Sequence, residues 1–235
     1  MPLNQGLVLY LPLWSGDLQG TSLSSEDNYR HSCSVVGATQ TNTGRDFDGI
    51  NDSITVPDNA AFAFGSGDFT WGIWLKPSTY TGLRILAKGA PWVISQNSAG
   101  GNFAFRVRED ASNVYFANNS FTVSVDEWAQ ILCTRGGSSI TVYKNAVKDT
   151  LSVIQNVGAG VNSNITNSNP IVIGAEIAPS TNNWAGRIGE VWFYNRTTTS
   201  TEVTQNYNLT SPNYASGDNR FGIIGDTKWG FFAWA

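Results

Sequence analysis

At 235 residues, 41% of them hydrophobic and only 14% charged, the chain carries enough apolar material for one large β domain and too little charge for a disordered one. The formal net charge is −4 and Lys and Arg form no cluster, which argues against a phosphate-tracking nucleic-acid surface. No apolar run reaches the length of a membrane span, and one histidine with two cysteines cannot make a four-ligand structural zinc site.

The N-terminal MPLNQGLVLYLPLW lacks the basic segment and small-residue cleavage site of a signal peptide. Residues 6–14 read as a strand buried on both faces, with Pro12 at its end or at an edge. Residues 15–28 are rich in turn formers and read as a loop holding Asp17, Glu26 and Asp27. A second strand spans 29–37 around Cys33, Val35 and Val36. Cys33 and Cys133 read as two buried small hydrophobes or as a bridge between distant strands, and spacing alone does not choose between them.

From Gly44 to Pro77 the chain reads as strand, tight turn, strand, loop, strand. Gly49 to Asp52 supply the turn, and Pro57 ends the short run Ser53 to Val56. Phe69, Trp71, Ile73 and Leu75 then fall on one face of a long strand, with Thr70, Gly72, Trp74 and Lys76 on the other. Residues 83–88 and 92–95 pair around a Gly-Ala-Pro turn, 103–108 and 113–117 form the next hairpin, and 127–135 with 140–145 form another. A polar loop spans 156–169, and 170–176 and 184–195 are the last strands. Thr199 and Glu202 have capping-box spacing ahead of a helix over 199–207, which Pro212 prevents from continuing. The pattern predicts an all-β, two-sheet antiparallel jelly-roll sandwich over residues 1–210, with one short C-terminal helix. An extended aromatic tail follows over 211–235, containing Tyr214, Phe221, Trp229, Phe231, Phe232 and Trp234.

Four segments resemble the laminin-G-like jelly roll of the concanavalin A-like lectin/glucanase superfamily: GRDFDGINDSITVPDNAAF, FTWGIWLKP, EWAQILCTRGGSSITVYKN and PIVIGAE…WAGRIGEVWFYNRTTTSTEV. The resemblance runs over about residues 6 to 208, with order and spacing agreeing, and implies two stacked antiparallel sheets, one concave. It lacks only the glycine that closes the third motif. Within such a fold Phe47 is expected to point into the sandwich and Trp74 and Trp128 to span the space of about 10 Å between sheets. Gly186 and Gly189 permit a close approach or a bulge. Glu190, inside an apolar strand, needs a partner. By strand parity Arg187 faces the other way, so Arg45 or a backbone donor is expected instead.

The glucanases of the superfamily carry an E-x-D-x-x-E strand, which does not occur here, and retaining glycosidases need two carboxyls about 5–5.5 Å apart. The acidic pairs, such as Glu109–Asp110, are sequence neighbours that point apart on a strand, so no enzyme is expected. Many relatives bind calcium at the sandwich rim. Glu176 of PIVIGAE stands where pentraxin relatives place an acid, although their other acids are absent. A Ca²⁺ site drawn from Asp17, Asp48, Asp52 and Glu176 is one reading, and solvated turn carboxylates are the other. A sugar would stack on an exposed aromatic ring, and Trp14, Trp92 and Trp184, near loops, are the candidates.

Two functions follow as expectations. One is a non-catalytic structural or interaction protein, a jelly-roll subunit of a larger homomeric assembly. It resembles decoration or tail-associated adhesion modules of phage virions, with Phe221, Trp229, Phe231, Phe232 and Trp234 as an assembly arm or a flap on their own domain. The other is a stand-alone, carbohydrate-binding lectin-like module, calcium-dependent or not. The partners expected are further copies of the chain, other structural subunits or glycans, with neither nucleic acid nor membrane insertion. The expected location is a virion or an extracellular surface.

Overall fold

The computed structural model describes residues 4–80, 84–89, 91–96, 101–176 and 183–215. In chain order the strands are β1 (Leu7–Pro12), β2 (Ser22–Ser24), β3 (Ser32–Val36), β4 (Thr39–Thr41), β5 (Gly44–Asp48), β6 (Ser53–Val56), β7 (Phe69–Pro77), β8 (Arg84–Lys88) and β9 (Trp92–Gln96). They continue with β10 (Phe103–Arg108), β11 (Val114–Asn118), β12 (Ala129–Gly136), β13 (Ser139–Lys144), β14 (Val147–Lys148), β15 (Ser152–Val157), β16 (Ile171–Ile173) and β17 (Ala185–Tyr194), before helix α1 (Ser200–Thr210). Sheet A has eight strands in the order β14-β13-β12-β7-β17-β5-β4, with β1 also on β17, and sheet B has nine in the order β15-β11-β10-β9-β8-β16-β6-β3-β2. Every ladder is antiparallel. The two-sheet sandwich with one short C-terminal helix is the expected fold.

Alternation builds the core. Phe69, Trp71, Ile73 and Leu75 of β7 meet Phe103, Phe105 and Val107 of β10 between the sheets. Phe47 joins them there, as expected. Cys33 comes from sheet B and Cys133 from sheet A; both are free thiols buried in this layer. Burial raises the pKa of both, Cys33 to about 12.

A second apolar layer covers the far side of sheet A. Leu7, Tyr10, Trp74, Leu132, Tyr143, Trp192 and Tyr194 pack there against Val203 of α1 and Tyr214. Gly72 makes room for it, since a Cβ at that position would lie 2.1 Å from the Trp192 ring. Thr199 caps α1: its hydroxyl accepts from the Glu202 amide at 3.2 Å, and the Glu202 carboxylate accepts from the Thr199 amide at 2.8 Å.

This layer corrects two expectations. Trp74 and Trp128 do not span the two sheets. Trp74 stacks on Tyr214 with ring centroids 4.3 Å apart and donates to Thr210 Oγ1 at 2.8 Å, while Trp128 packs on the same tyrosine. Glu190 does not pair with Arg45; its carboxylate accepts from Tyr10, Trp14 and Tyr214. The ladder between β17 and β7 slips between Ile188 and Glu190, at Gly189, and this bulge reverses the alternation. Ile188 and Val191 both enter the inter-sheet core, so Glu190 faces outward beneath α1. Arg45 instead donates to the carbonyls of Ala38, Leu18 and Gly20.

Four strands, the short β2, β4 and β14 and the six-residue β15, lie where no strand was expected, and the loop over 156–169 contains a 3₁₀ turn at Gly160–Asn162. Tyr214, placed in the tail by sequence, is only 4% exposed. Phe221, Trp229, Phe231, Phe232 and Trp234 lie outside the described residues. Among the described residues no helix is long and apolar enough to cross a membrane.

Candidate functional site

The sugar-binding candidates separate by burial. Trp92, though at a strand end, shares the inward parity of Ile94; it is 3% exposed and packs on Phe193 at 5.4 Å. Trp184 is 1% exposed, lies beside Phe47 and donates to Gln96 Oε1 at 3.2 Å. Both rings belong to the core and offer no face to a sugar, which corrects that expectation.

Trp14 differs. It follows β1, where Pro12 ends the strand and the chain turns, with the Ser15 amide donating to Pro12 O at 2.8 Å. Its indole is half-buried, and Nε1 donates to Glu190 Oε1 at 2.9 Å. Glu190 is fully buried and also accepts from Tyr214 Oη at 3.1 Å and Tyr10 Oη at 3.5 Å. One carboxylate therefore fixes the indole edge from below, so that a rigid aromatic wall stands at the rim of sheet A.

That wall bounds an open recess of about 320 Å³ whose other sides are Gln19, Gln40, Thr41 and Asn42. Gln40 and Thr41 come from the edge strand β4, and Gln19 follows the 3₁₀ turn Gly16–Leu18. Gln40 Nε2 donates to the carbonyls of Leu13 at 2.7 Å and Thr41 at 3.3 Å, which orients the amide; its Oε1 has no donor. An aromatic wall with three amide side chains and a hydroxyl is uncharged chemistry suited to polyhydroxylated ligands. Sequence had singled out Trp14 alone. The amides come from two separated segments, the end of a 3₁₀ turn and the β4 edge with the turn after it, and no spacing rule joins them.

The acidic candidates do not assemble. Asp17 lies on the exposed 3₁₀ turn after Trp14, its amide donating to Ser15 Oγ. Asp48 and Asp52 do come together. Asp48 Oδ1 accepts from the amides of Ile50 and Asn51 at 2.7 and 3.3 Å, and Asp52 Oδ2 accepts from the Asp48 amide at 2.9 Å. These bonds make the turn in the Gly49–Asp52 stretch. Burial raises the Asp52 pKa, opposed by that amide and helped by the Asp48 charge. Glu176 forms an ion pair with Arg84, Oε2 to Nε 3.5 Å. Among the described residues no three His, Cys, Asp or Glu gather in a group able to hold a metal ion.

The fold is similar to that of solved binding domains. The binding domain of Paraclostridial Mosquitocidal Protein 1 superposes with a TM-score of 0.68 at 19% identity, covering 88% of this chain and 52% of that one. A structure described by the dependence of botulinum neurotoxin type C cell entry on two ganglioside molecules gives 0.64 at 13%, with 88% and 51% covered. The binding domain of botulinum neurotoxin DC in complex with SialylT gives 0.64 at 15%, with 88% and 52% covered. The chain thus spans about half the length of these neighbours, and the likeness at such identity is one of fold. No curated protein sequence matches. A model of the Concanavalin A-like lectin/glucanases superfamily matches residues 21–204, most of the chain, and the chain belongs to that superfamily.

Proposed function

We propose that the chain is a non-catalytic binding module that takes a glycan in the recess beside Trp14. One observation carries the reading: a half-exposed indole, held by a buried carboxylate, faces three amide side chains and a hydroxyl in an open recess. A pyranose ring stacks its C–H face on such an indole while its hydroxyls bond the amides of Gln19, Gln40 and Asn42. Superfamily membership supports it, as do the neighbours, which are binding domains, one of them described with SialylT. The module works at an extracellular or virion surface, where glycans are displayed.

Binding to a glycan array, followed by titration of a hit with intrinsic tryptophan fluorescence, tests this reading. Trp14→Ala is expected to weaken the hit about 5- to 150-fold, the loss of one stacked ring being worth about 1–3 kcal/mol by analogy with base stacking on aromatics. Trp14→Phe is expected to retain part of it. Unchanged affinity in Trp14→Ala would sink the assignment, and loss of binding in EDTA would move the site to the acidic rim at Asp48 and Asp52.

A second reading, a subunit of a homomeric, virion-associated assembly for decoration or adhesion, is favoured by one feature. The edge strand β15 exposes all six of its residues, Val153, Ile154 and Val157 among them.

A further inference from the structure

Sheet A is covered by α1, whereas among the described residues no helix covers the outer face of sheet B. Its composition follows from register. Phe103, Phe105 and Val107 of β10 point inward, so Ala104, Arg106 and Arg108 point outward. Arg106 lies opposite Val93 on β9 and Phe116 on β11; Ala104 lies opposite Ser95 and Asn118. Arg84 of β8 lies opposite Ser95. Two chain-distant segments, Arg84 and the pair Arg106/Arg108, are thus gathered on one face, over a floor of Val93, Ser95 and Ala104. Arg106 and Arg108, two residues apart on one strand, are spaced by about 7 Å.

Three guanidiniums in one place repel one another and call for an anion. Burial, Arg84 and Arg108 all lower the Arg106 pKa, and Glu176 alone acts the other way. Glu176 is 3.5 Å from Arg84. Among the described residues, Arg106 and Arg108 have no ion-pair partner, and the Nε atoms of these two are shielded from solvent without a hydrogen-bond acceptor, whereas Arg84 Nε faces Glu176. Asn102 Oδ1 is likewise shielded and without a donor. A shielded polar atom without a partner calls for an explanation, and a bound anion supplies one for two neighbouring guanidiniums. Among the described residues, other buried or half-buried cations are engaged. Arg45 and Arg135 hold carbonyls, Lys88 holds Asp58, Arg187 holds Asp46 and Arg196 holds Glu202.

We infer that the outer face of sheet B binds an acidic saccharide, whose carboxylate or sulfate is taken by Arg106 and Arg108 with Arg84 beside them. The inference rests on the glycan-binding reading and gives it a second, charged site on the opposite sheet from Trp14. Guanidinium forks fit planar or tetrahedral oxyanions in a bidentate manner. The positive spot is only three side chains wide on a chain of net charge −4, which suits one acidic sugar and not a polynucleotide or an anionic bilayer. Amides flank it, Asn102 at the start of β10 and Gln155 opposite Phe116, as hydroxyl partners for the same sugar.

Isothermal titration at 50 and 300 mM NaCl tests this, with oligogalacturonate, a heparin-derived tetrasaccharide and a neutral galacto-oligosaccharide as probes. The wild type is expected to bind one of the acidic probes, more weakly at the higher salt; which of the two binds separates carboxylate from sulfate. R106Q and R108Q are each expected to weaken that binding at least tenfold, R106K less so, with melting temperatures confirming that all remain folded. W14A is expected to keep the acidic binding. Acidic binding unchanged in R106Q and R108Q overturns the inference, as does arginine-dependent binding of phosphatidylserine vesicles or duplex DNA at equal strength. Neutral binding that depends on Trp14, without acidic binding, removes this inference and leaves the first site standing. If no saccharide of any kind binds, both fall.

Discussion

Glu190 shows how much a single side chain can organise here. It is fully buried and answers three aromatic donors, Tyr10 and Trp14 near the start of the chain and Tyr214 some two hundred residues on. Those donors come from β1, the turn after it and the segment after α1, so one carboxylate ties the N-terminal strand and the C-terminal cover to β17. Glu190→Ala removes the acceptor that Tyr10, Trp14 and Tyr214 share, and a buried donor that loses its acceptor costs about 1–3 kcal/mol. We expect a loss of about 3 kcal/mol in urea denaturation, together with a red shift of tryptophan emission as the Trp14 edge is released. Glu190→Gln, which keeps one carbonyl oxygen, is expected to lose less. Equal stability of Glu190→Ala and wild type would show that the three donors find water instead. The sequence signalled that Glu190 needs a partner but misdirected the search. Parity counting fails across a bulge, and Gly189 marked a bulge without fixing its position.

At the scale of elements, what was legible was whatever repeats locally. The alternation in FTWGIWLKP, the Gly49 turn and the capping box of α1 all appear where they were expected, because each depends on neighbours in the chain. The strand SVIQNV escaped because every residue in it is exposed, so no burial pattern marks it. Trp92 and Trp184 were misplaced because nearness to a loop says little about which face of a strand a ring takes. Helix α1 carries a pH prediction. Burial raises the Glu202 pKa, but hydrogen bonds from Arg196 and from the Thr199 amide outweigh it, and the net shift is downward. A carboxylate whose folded pKa is depressed contributes stability above its unfolded value, 4.5 here, and loses it as the pH falls through the lower folded value. We therefore expect the melting temperature to fall below about pH 4.5 as this contribution is lost. Glu202→Gln is expected to be less stable at pH 7 and flatter across that acidic window. A Glu202→Gln profile parallel to wild type would assign the acid sensitivity to other carboxylates.

For the whole molecule, the way each sheet ends decides whether it can remain alone. Exposed strand edges invite pairing, and proteins blunt them by shortness, charge or proline. Three of the edges here are short: β14 has two residues and carries Lys148, while β2 and β4 have three each. β15 is different. It has six residues, none of them charged and none a proline, and Val153, Ile154 and Val157 are 51%, 57% and 42% exposed. Among the described residues, a bulge in its pairing with β11, between Phe116 and Ala117, is what protects it. A second copy of the same strand, running antiparallel, would satisfy these backbone groups and cover the three apolar side chains. It would join two nine-stranded sheets about a two-fold axis. Light scattering at about 100 μM, well above a micromolar dissociation constant, is expected to show a dimer or a multiple of it. Ile154→Lys, on an exposed position where substitution costs less than about 0.5 kcal/mol of fold stability, is expected to give a monomer with unchanged melting. A monomeric wild type, or an Ile154→Lys variant that assembles as before, would remove this edge as the assembly surface. The glycan reading would then stand without a multivalent scaffold. If the edge does pair, two Trp14 recesses and two arginine faces travel on one particle, and weak single-site binding to a displayed glycan gains avidity through linkage alone.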